Sequence, residues 1–175
     1  MAAGHRLSYG SNSRQYVEIY PSENADKSRS CPLIIFIHGG GWYSGSTTDH
    51  EDLAKHISSE SETAVALVTY RITNKDKPEE NTVYHPDHIN DVHAGLDLLF
   101  KSATSAEYRY DLKRVTLVGH SAGGWMVLSA ALNSEANRNA GPVANMPPLK
   151  ASIRKAIRSF VAVVSGNVEP VELLR

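Results

Sequence analysis

A single cysteine, Cys31, stands among 175 residues, so no intrachain disulfide is available, and no Asn-x-Ser/Thr acceptor occurs. No apolar run approaches the roughly 18 residues needed to cross a bilayer. The opening Met-Ala-Ala-Gly-His-Arg has no apolar stretch behind it, so no signal peptide is expected. The ending Val171-Glu-Leu-Leu-Arg175 matches neither a prenylation nor a peroxisomal signal. These absences predict a cytoplasmic protein with no membrane partner. Excess charge of either sign is also lacking: the net charge is -1 with histidine neutral. No basic run interleaved with aromatics is present, so nucleic acid is not an expected partner.

What is present is an ordinary globular composition, 41% hydrophobic and 21% charged, in a length that suits one domain over residues 1–175. Gln15–Tyr20 alternates polar and apolar residues and reads as a strand. Leu33–Ile37, Ala64–Tyr70 and Val115–Val118 are short, largely apolar runs rich in β-branched residues, the pattern of strands buried on both faces. Thr48 with Glu51 predicts a capping box ahead of a helix using Leu53, Ala54 and Ile57. Residues 71–84 are charged and predict a surface loop. Pro86 suits the first turn of a helix whose apolar face carries Ile89, Val92, Leu96, Leu99 and Phe100. A further helix starts at or just after Ser121. Residues 133–148 predict a loop, Leu149, Ile153 and Ile157 a short helix, and Phe160–Val164 a last strand. Strands alternating with helices imply an α/β fold, a mostly parallel sheet with helices on both faces.

Two glycine-rich motifs carry the chemistry. In Gly119-His120-Ser121-Ala122-Gly123 the glycines flank the serine at two residues' distance. That spacing lets a strand turn abruptly into a helix and leaves a nucleophilic serine at the tip. The second motif, His38-Gly39-Gly40-Gly41-Trp42, directly follows the strand Leu33–Ile37. Backbone without Cβ atoms approaches a substrate oxygen closely and turns its N–H groups toward it. Gly40, Gly41 and Ala122 are the expected oxyanion donors, and Ser121 the nucleophile. Either motif alone is common in plain turns. Their combination, in this order and each after a buried strand, specifies the α/β-hydrolase fold.

His120 is expected to point away from Ser121 and to pack, and His38 to brace the loop. His85, Asp87, His88, Asp91 and His93 match no standard zinc spacing, and polar residues at a helix start account for most of them. No metal or cofactor is expected.

His38-Gly-Gly-Gly-Trp42, Tyr70-Arg71, His85-Pro-Asp-His88 with Asp91-Val92, and Gly119-His-Ser-Ala-Gly-Gly124 together resemble the kynurenine formamidase (arylformamidase) family of α/β-hydrolases. The resemblance runs from about Tyr9 to the strand ending near Val164. It implies hydrolysis of N-formyl-L-kynurenine to L-kynurenine and formate in tryptophan catabolism, with a small molecule as substrate. Two alternatives stay open: a carboxylesterase of the hormone-sensitive-lipase-like group, and a non-catalytic relative that binds a small molecule or a partner. The 37 residues ahead of His38 are short for the lipase-like group and favour the formamidase.

One departure matters. The resemblance implies a triad in the order Ser, Asp or Glu, His along the chain. After Ser121 there is no Asp and no His, and the acids there are Glu135, Glu169 and Glu172. The expectation is therefore a C-terminally incomplete hydrolase, ending after about the sixth strand of eight, weak or inactive in isolation. Its last strand would be an exposed edge open to pairing with another chain, which leaves a homodimer open.

Overall fold

The computed structural model describes residues 4–26, 29–74, 76, 83–103, 108–132 and 147–163. Their strands form one six-stranded sheet in the order β1-β2-β4-β3-β5-β6. They are β1 His5–Ser8, β2 Tyr16–Tyr20, β3 Cys31–Ile37, β4 Ala64–Val68, β5 Tyr110–His120 and β6 Ile157–Val163. The first two pairings, β1 with β2 and β2 with β4, are antiparallel; β4, β3, β5 and β6 run parallel.

The helices are α1 Glu51–Glu60, α2 Asp87–Ser102, α3 Ala122–Leu132 and α4 Ala151–Ala156. One face of the sheet, through Val17, Ile19, Leu33, Ile35, Ile37, Ala66 and Leu117, packs in a single cluster with side chains of α2, α3 and α4. The opposite face, through Tyr20, Val65 and Leu67, packs on Ala54 and Ile57 of α1. Ile89, Val92, Leu96 and Leu99 of α2 are fully buried; each such side chain contributes about 2 kcal/mol by leaving water.

Several local readings shift. The capping box is formed by Ser46 and Asp49, two residues earlier than Thr48 and Glu51, with Asp49 Oδ2 accepting the Ser46 amide at 2.9 Å. A short 3-10 turn, Thr47–His50, intervenes before α1. Thr47 is itself buried, its hydroxyl 3.0 Å from Tyr16 Oη. Leu53 faces solvent, while Ala54 is the buried residue of that turn. The alternation in β2 does not mark a wet face: all five residues are buried, and Glu18 is met by Arg6 of β1 at 3.5 Å. Of the expected loop 133–148, residues 133–146 lie outside the described residues, as does the last residue of the expected strand, Val164. So do Glu135, Glu169 and Glu172.

The start of α2 is tied to the end of β4 by one buried carboxylate. Asp91 accepts the Arg71 backbone amide at 3.0 Å, Arg71 Nε at 2.7 Å and Nη2 at 2.8 Å, and Gln15 Nε2 at 2.9 Å. Its side chain is almost fully enclosed and that of Arg71 is partly open. Removing the carboxylate leaves three donors of Arg71 and one of Gln15 without their acceptor. We expect Asp91→Ala to cost about 3 kcal/mol, the lower end for a broken buried pair because Arg71 keeps some solvent. A urea titration showing a lower midpoint at unchanged slope checks this, and a shift below about 1 kcal/mol contradicts it.

Candidate active site

The parallel strands β3 and β5 pair Ile37 with Gly119, so both glycine motifs leave the sheet at the same end and side by side. Ser121 follows β5 directly and adopts φ 52°, the left-handed region a non-glycine residue enters only at a cost of about 1–2 kcal/mol. Two hydrogen bonds hold it there. Its amide donates to Val163 O of β6 at 2.7 Å, and its carbonyl accepts the Trp125 amide at 3.0 Å as α3 begins.

The close packing behind the turn admits no side chain. A Cβ on Gly123 would lie 2.2 Å from Ile37 O and 2.7 Å from His38 O, both fixed backbone atoms. On the other side, the backbone of Gly39 approaches the turn so closely that a Cβ there would sit 3.1 Å from Ser121 Cβ. The loop after β3 therefore lies directly against the serine.

That loop has an unusual backbone. Gly40 (φ 105°), Gly41 (φ 60°) and Trp42 (φ 65°) all have positive φ. The Gly40 carbonyl is occupied by the amides of Tyr43 and Ser44, each at 3.0 Å. The amides of Gly40 and Gly41 bind no backbone acceptor among the described residues. Ala122, as the first residue of α3, has no carbonyl four residues back within the helix to bind. Among the described residues these three amides make no backbone hydrogen bond outside regular elements, and free amides of this kind are what an oxyanion uses.

Matching this geometry, the sequence profile of the BD-FAE family covers residues 17–170. The chain belongs to the BD-FAE family. Its fold is the α/β-hydrolase fold. It is 31% identical over 130 residues to a kynurenine formamidase of Meyerozyma guilliermondii, covering 73% of this chain and 42% of that one. It is 28% identical over 158 residues to a kynurenine formamidase of Aspergillus versicolor, covering 81% and 51%. The chain spans about half the length of these curated relatives. In fold it is similar to an esterase of Thermogutta terrifontis, with a TM-score of 0.64 and 18% identity over 91% of this chain and 52% of that one. No helix among the described residues is long and apolar enough to cross a membrane.

In this BD-FAE member the loop rests on a buried histidine. His38 is stacked on Tyr70 with ring centroids 4.3 Å apart and planes 8° from parallel. Its Nδ1 lies 2.7 Å from Gly39 O and its Nε2 3.4 Å from Thr69 Oγ1, while Tyr70 Oη donates to His38 O at 3.0 Å. Burial holds the ring neutral, pushing its pKa from the ordinary 6.5 down to about 4. His120 turns to the α1 side of the sheet, its ring 6.4 Å from that of His50, which itself lies 4.5 Å from Phe36. The histidine cluster of α2 divides among separate tasks: His88 Nε2 is 3.0 Å from Thr73 Oγ1, His85 meets the Trp125 ring, and Asp91 holds Arg71. No metal-binding group of three appears among the described residues.

Sequence reasoning missed one supporting residue. Arg14 donates through Nε to Tyr70 O at 3.0 Å and through Nη2 to Gly45 O, clamping the loop to the end of β4. It acts only on backbone carbonyls 56 and 31 residues away, and no local pattern announces such a partner.

Two expectations follow from this packing. Gly123→Ala should destabilise the protein by about 3 kcal/mol or more, because neither clashing carbonyl can move without opening the β3–β5 junction. Thermal or urea denaturation reads it, and a cost under about 1 kcal/mol would show the junction to be compliant. The second concerns pH. The unfolded chain protonates His38 near 6.5 and the fold near 4, so its stabilising effect is complete above pH 6.5 and lost as pH falls through that window. For His38 alone the loss reaches about 2 kcal/mol at pH 5. Burial also pushes down the pKa of His50, His88 and His93, the last to about 4, so they add in the same sense. The urea midpoint should fall between pH 7 and 5, and His38→Asn should lower it at pH 7 while flattening the slope.

Proposed function

We propose that this protein is a serine hydrolase that cleaves N-formyl-L-kynurenine to L-kynurenine and formate, with Ser121 as the nucleophile. The observation that supports this reading is the close approach of Gly39 to Ser121, where a Cβ would lie 3.1 Å from Ser121 Cβ, so that the glycine loop runs against the serine turn. The similarity to two kynurenine formamidases supports the choice of an aryl formamide over an ester.

Ser121 Oγ forms a bond to the formyl carbon while its proton passes to a base. The carbonyl oxygen takes up negative charge and is met by the three amides. Collapse breaks the carbon–nitrogen bond, and the departing aniline nitrogen takes the proton. Water then attacks the formyl ester, releasing formate and returning the proton to Ser121. Losing one such oxyanion donor typically costs roughly 100- to 1,000-fold.

The base is the missing part of this scheme. No His or Asp follows Ser121 in these 175 residues. Oxyanion stabilisation and binding still provide roughly 1,000- to 10,000-fold over water when a triad member is lacking. We therefore expect slow, Ser121-dependent hydrolysis of N-formylkynurenine, well under about one turnover per second. Comparing the chain with Ser121→Ala, on this substrate and on p-nitrophenyl acetate, decides the matter. Equal rates for the two proteins would exclude Ser121 as nucleophile, and cleavage of the ester alone would favour an esterase. Turnover above about one per second would place an effective base elsewhere in the chain.

A further inference from the structure

Two strand irregularities meet at the opposite end of the sheet from Ser121. Between the pairs Cys31–Tyr110 and Leu33–Val115, one residue of β3 faces four of β5, so Asp111–Arg114 loop out. Between the pairs Val115–Ile157 and Thr116–Ser159, β6 carries one extra residue, Arg158. The two bulges lie side by side, with Arg158 Nε donating to Lys113 O at 3.0 Å. Bulges re-aim side chains, and here Lys113, Arg114 and Arg158 all come out exposed at one place. Lys155, in the last turn of α4 and three residues before Arg158, adds a fourth exposed cation.

Little in the fold neutralises this cluster. Asp111 is paired with Arg114 at 3.0 Å. Among the described residues the Lys113 and Lys155 side chains have no ion pair or hydrogen bond, and Arg158 meets only the Lys113 carbonyl. Arg154, by contrast, has a structural task, donating through Nε and Nη2 to Ala131 O at 3.0 Å and 2.7 Å. That contact sets the last turn of α3 beside the cations. Leu132, which ends α3, is 49% exposed, and Leu128, one turn back on the same face, is 44% exposed. Large aliphatic side chains thus stand in the open beside a basic cluster.

We propose that this end of the molecule docks on an anionic lipid surface. Lys113, Lys155 and Arg158 meet the headgroups, and Leu132 and Leu128 enter the boundary between headgroups and acyl chains. Cations beside exposed aliphatics are the combination that such a surface binds, whereas an acidic polypeptide would need only the charges. The charge balance gives direction. The whole chain has a net charge of -1, so the surface outside the cluster is negative overall and is repelled by the same bilayer. The cations are scattered along the sequence and collected only by the two bulges, which is why no basic run announces them. Strand β5 runs from the cluster to the serine turn, a distance of about 20 Å. A docked molecule therefore keeps Ser121 toward water, and docking does not depend on the hydrolase reading.

Co-sedimentation with large unilamellar vesicles tests this, using phosphatidylcholine alone and phosphatidylcholine with roughly 30% phosphatidylserine. We expect at least about 10-fold stronger partitioning onto the anionic vesicles at low salt, falling steeply at about 0.5 M sodium chloride. Each lysine near such a surface is worth about 5-fold, so Lys113→Gln combined with Lys155→Gln should lose about 25-fold. Both side chains are exposed, so the fold is kept, and an unchanged urea midpoint checks it. Leu132→Ser should lose about 5-fold on the same vesicles at unchanged charge. Equal partitioning onto the two vesicle types, or a double variant that binds like wild type, would overturn the proposal. So would undiminished binding by Leu132→Ser, because the cluster would then be a general polyanion site. Capture of a fluorescein-labelled oligoglutamate without vesicle binding would overturn it in favour of an acidic polypeptide.

Discussion

The backbone of Gly123 lies against the carbonyl oxygens of Ile37 and His38, with 2.2 Å and 2.7 Å from where its Cβ would be. This contact joins the end of β3 to the start of α3, and the geometry of the site depends on it. A side chain at Gly123 would push the helix away from the strand. The loop that follows β3 would then move away from Ser121. Glycine is used here for close approach rather than for flexibility. The junction also lies at the end of β3, whose Leu33, Ile35 and Ile37 are fully enclosed, so it has little room to relax.

A second layer keeps the loop itself from collapsing. A glycine-rich segment with three successive positive φ values loses much entropy on ordering. Its support comes from His38 stacked on Tyr70, from Tyr70 Oη on the His38 carbonyl, and from Arg14 bridging Tyr70 O to Gly45 O. Keeping His38 neutral allows it to be buried without a counter-ion. The consequence is a stability that depends on pH through a residue that never touches substrate in the proposed reaction. Arg71 and Asp91 extend the same support outward, fixing the start of α2 and, with it, His85 and His88.

Much of this was legible in the sequence, for physical reasons that differ from element to element. Strands β3 and β4 are dense in β-branched residues because parallel strands are covered on both faces. The face of α2 appeared in the spacing of Ile89, Val92, Leu96 and Leu99. The elbow and the glycine loop after β3 were readable because Gly40 and Gly123 stand where a positive φ or a close backbone approach admits no side chain. Strand β1 was not readable: His5–Ser8 is four residues long, half exposed and polar, and gains its conformation by pairing with β2. The burial of Glu18 was not readable from the alternation in β2, because it is covered by Arg6 of a neighbouring strand, which also lies 3.9 Å over the Tyr16 ring. The capping box was misplaced because Ser46-x-x-Asp49 and Thr48-x-x-Glu51 overlap, and burial of Thr47 under Tyr16 sets which is used. Arg14 and Gln15 left no trace at all, since their partners are distant in sequence.

The position of Ser121 within the sheet carries a further consequence. Its amide is held by Val163 O, the last described residue of β6, and β6 is an edge strand of the six. The left-handed φ of Ser121 is therefore held by a hydrogen bond to an edge strand of the described sheet. Val161 and Val163 on that strand are 41% and 46% exposed, so β6 is anchored on one side by β5 and little covered on one face. A core strand would fix the serine more rigidly. An edge strand makes the elbow sensitive to whatever pairs with or covers β6, because any shift of Val163 is passed to Ser121 through a single 2.7 Å bond. The glycine loop after Ile37, by contrast, is anchored in β3, with a neighbour on each side. The two glycine motifs thus stand on unequal supports, one on a strand paired on both sides and the Ser121 turn on an edge strand.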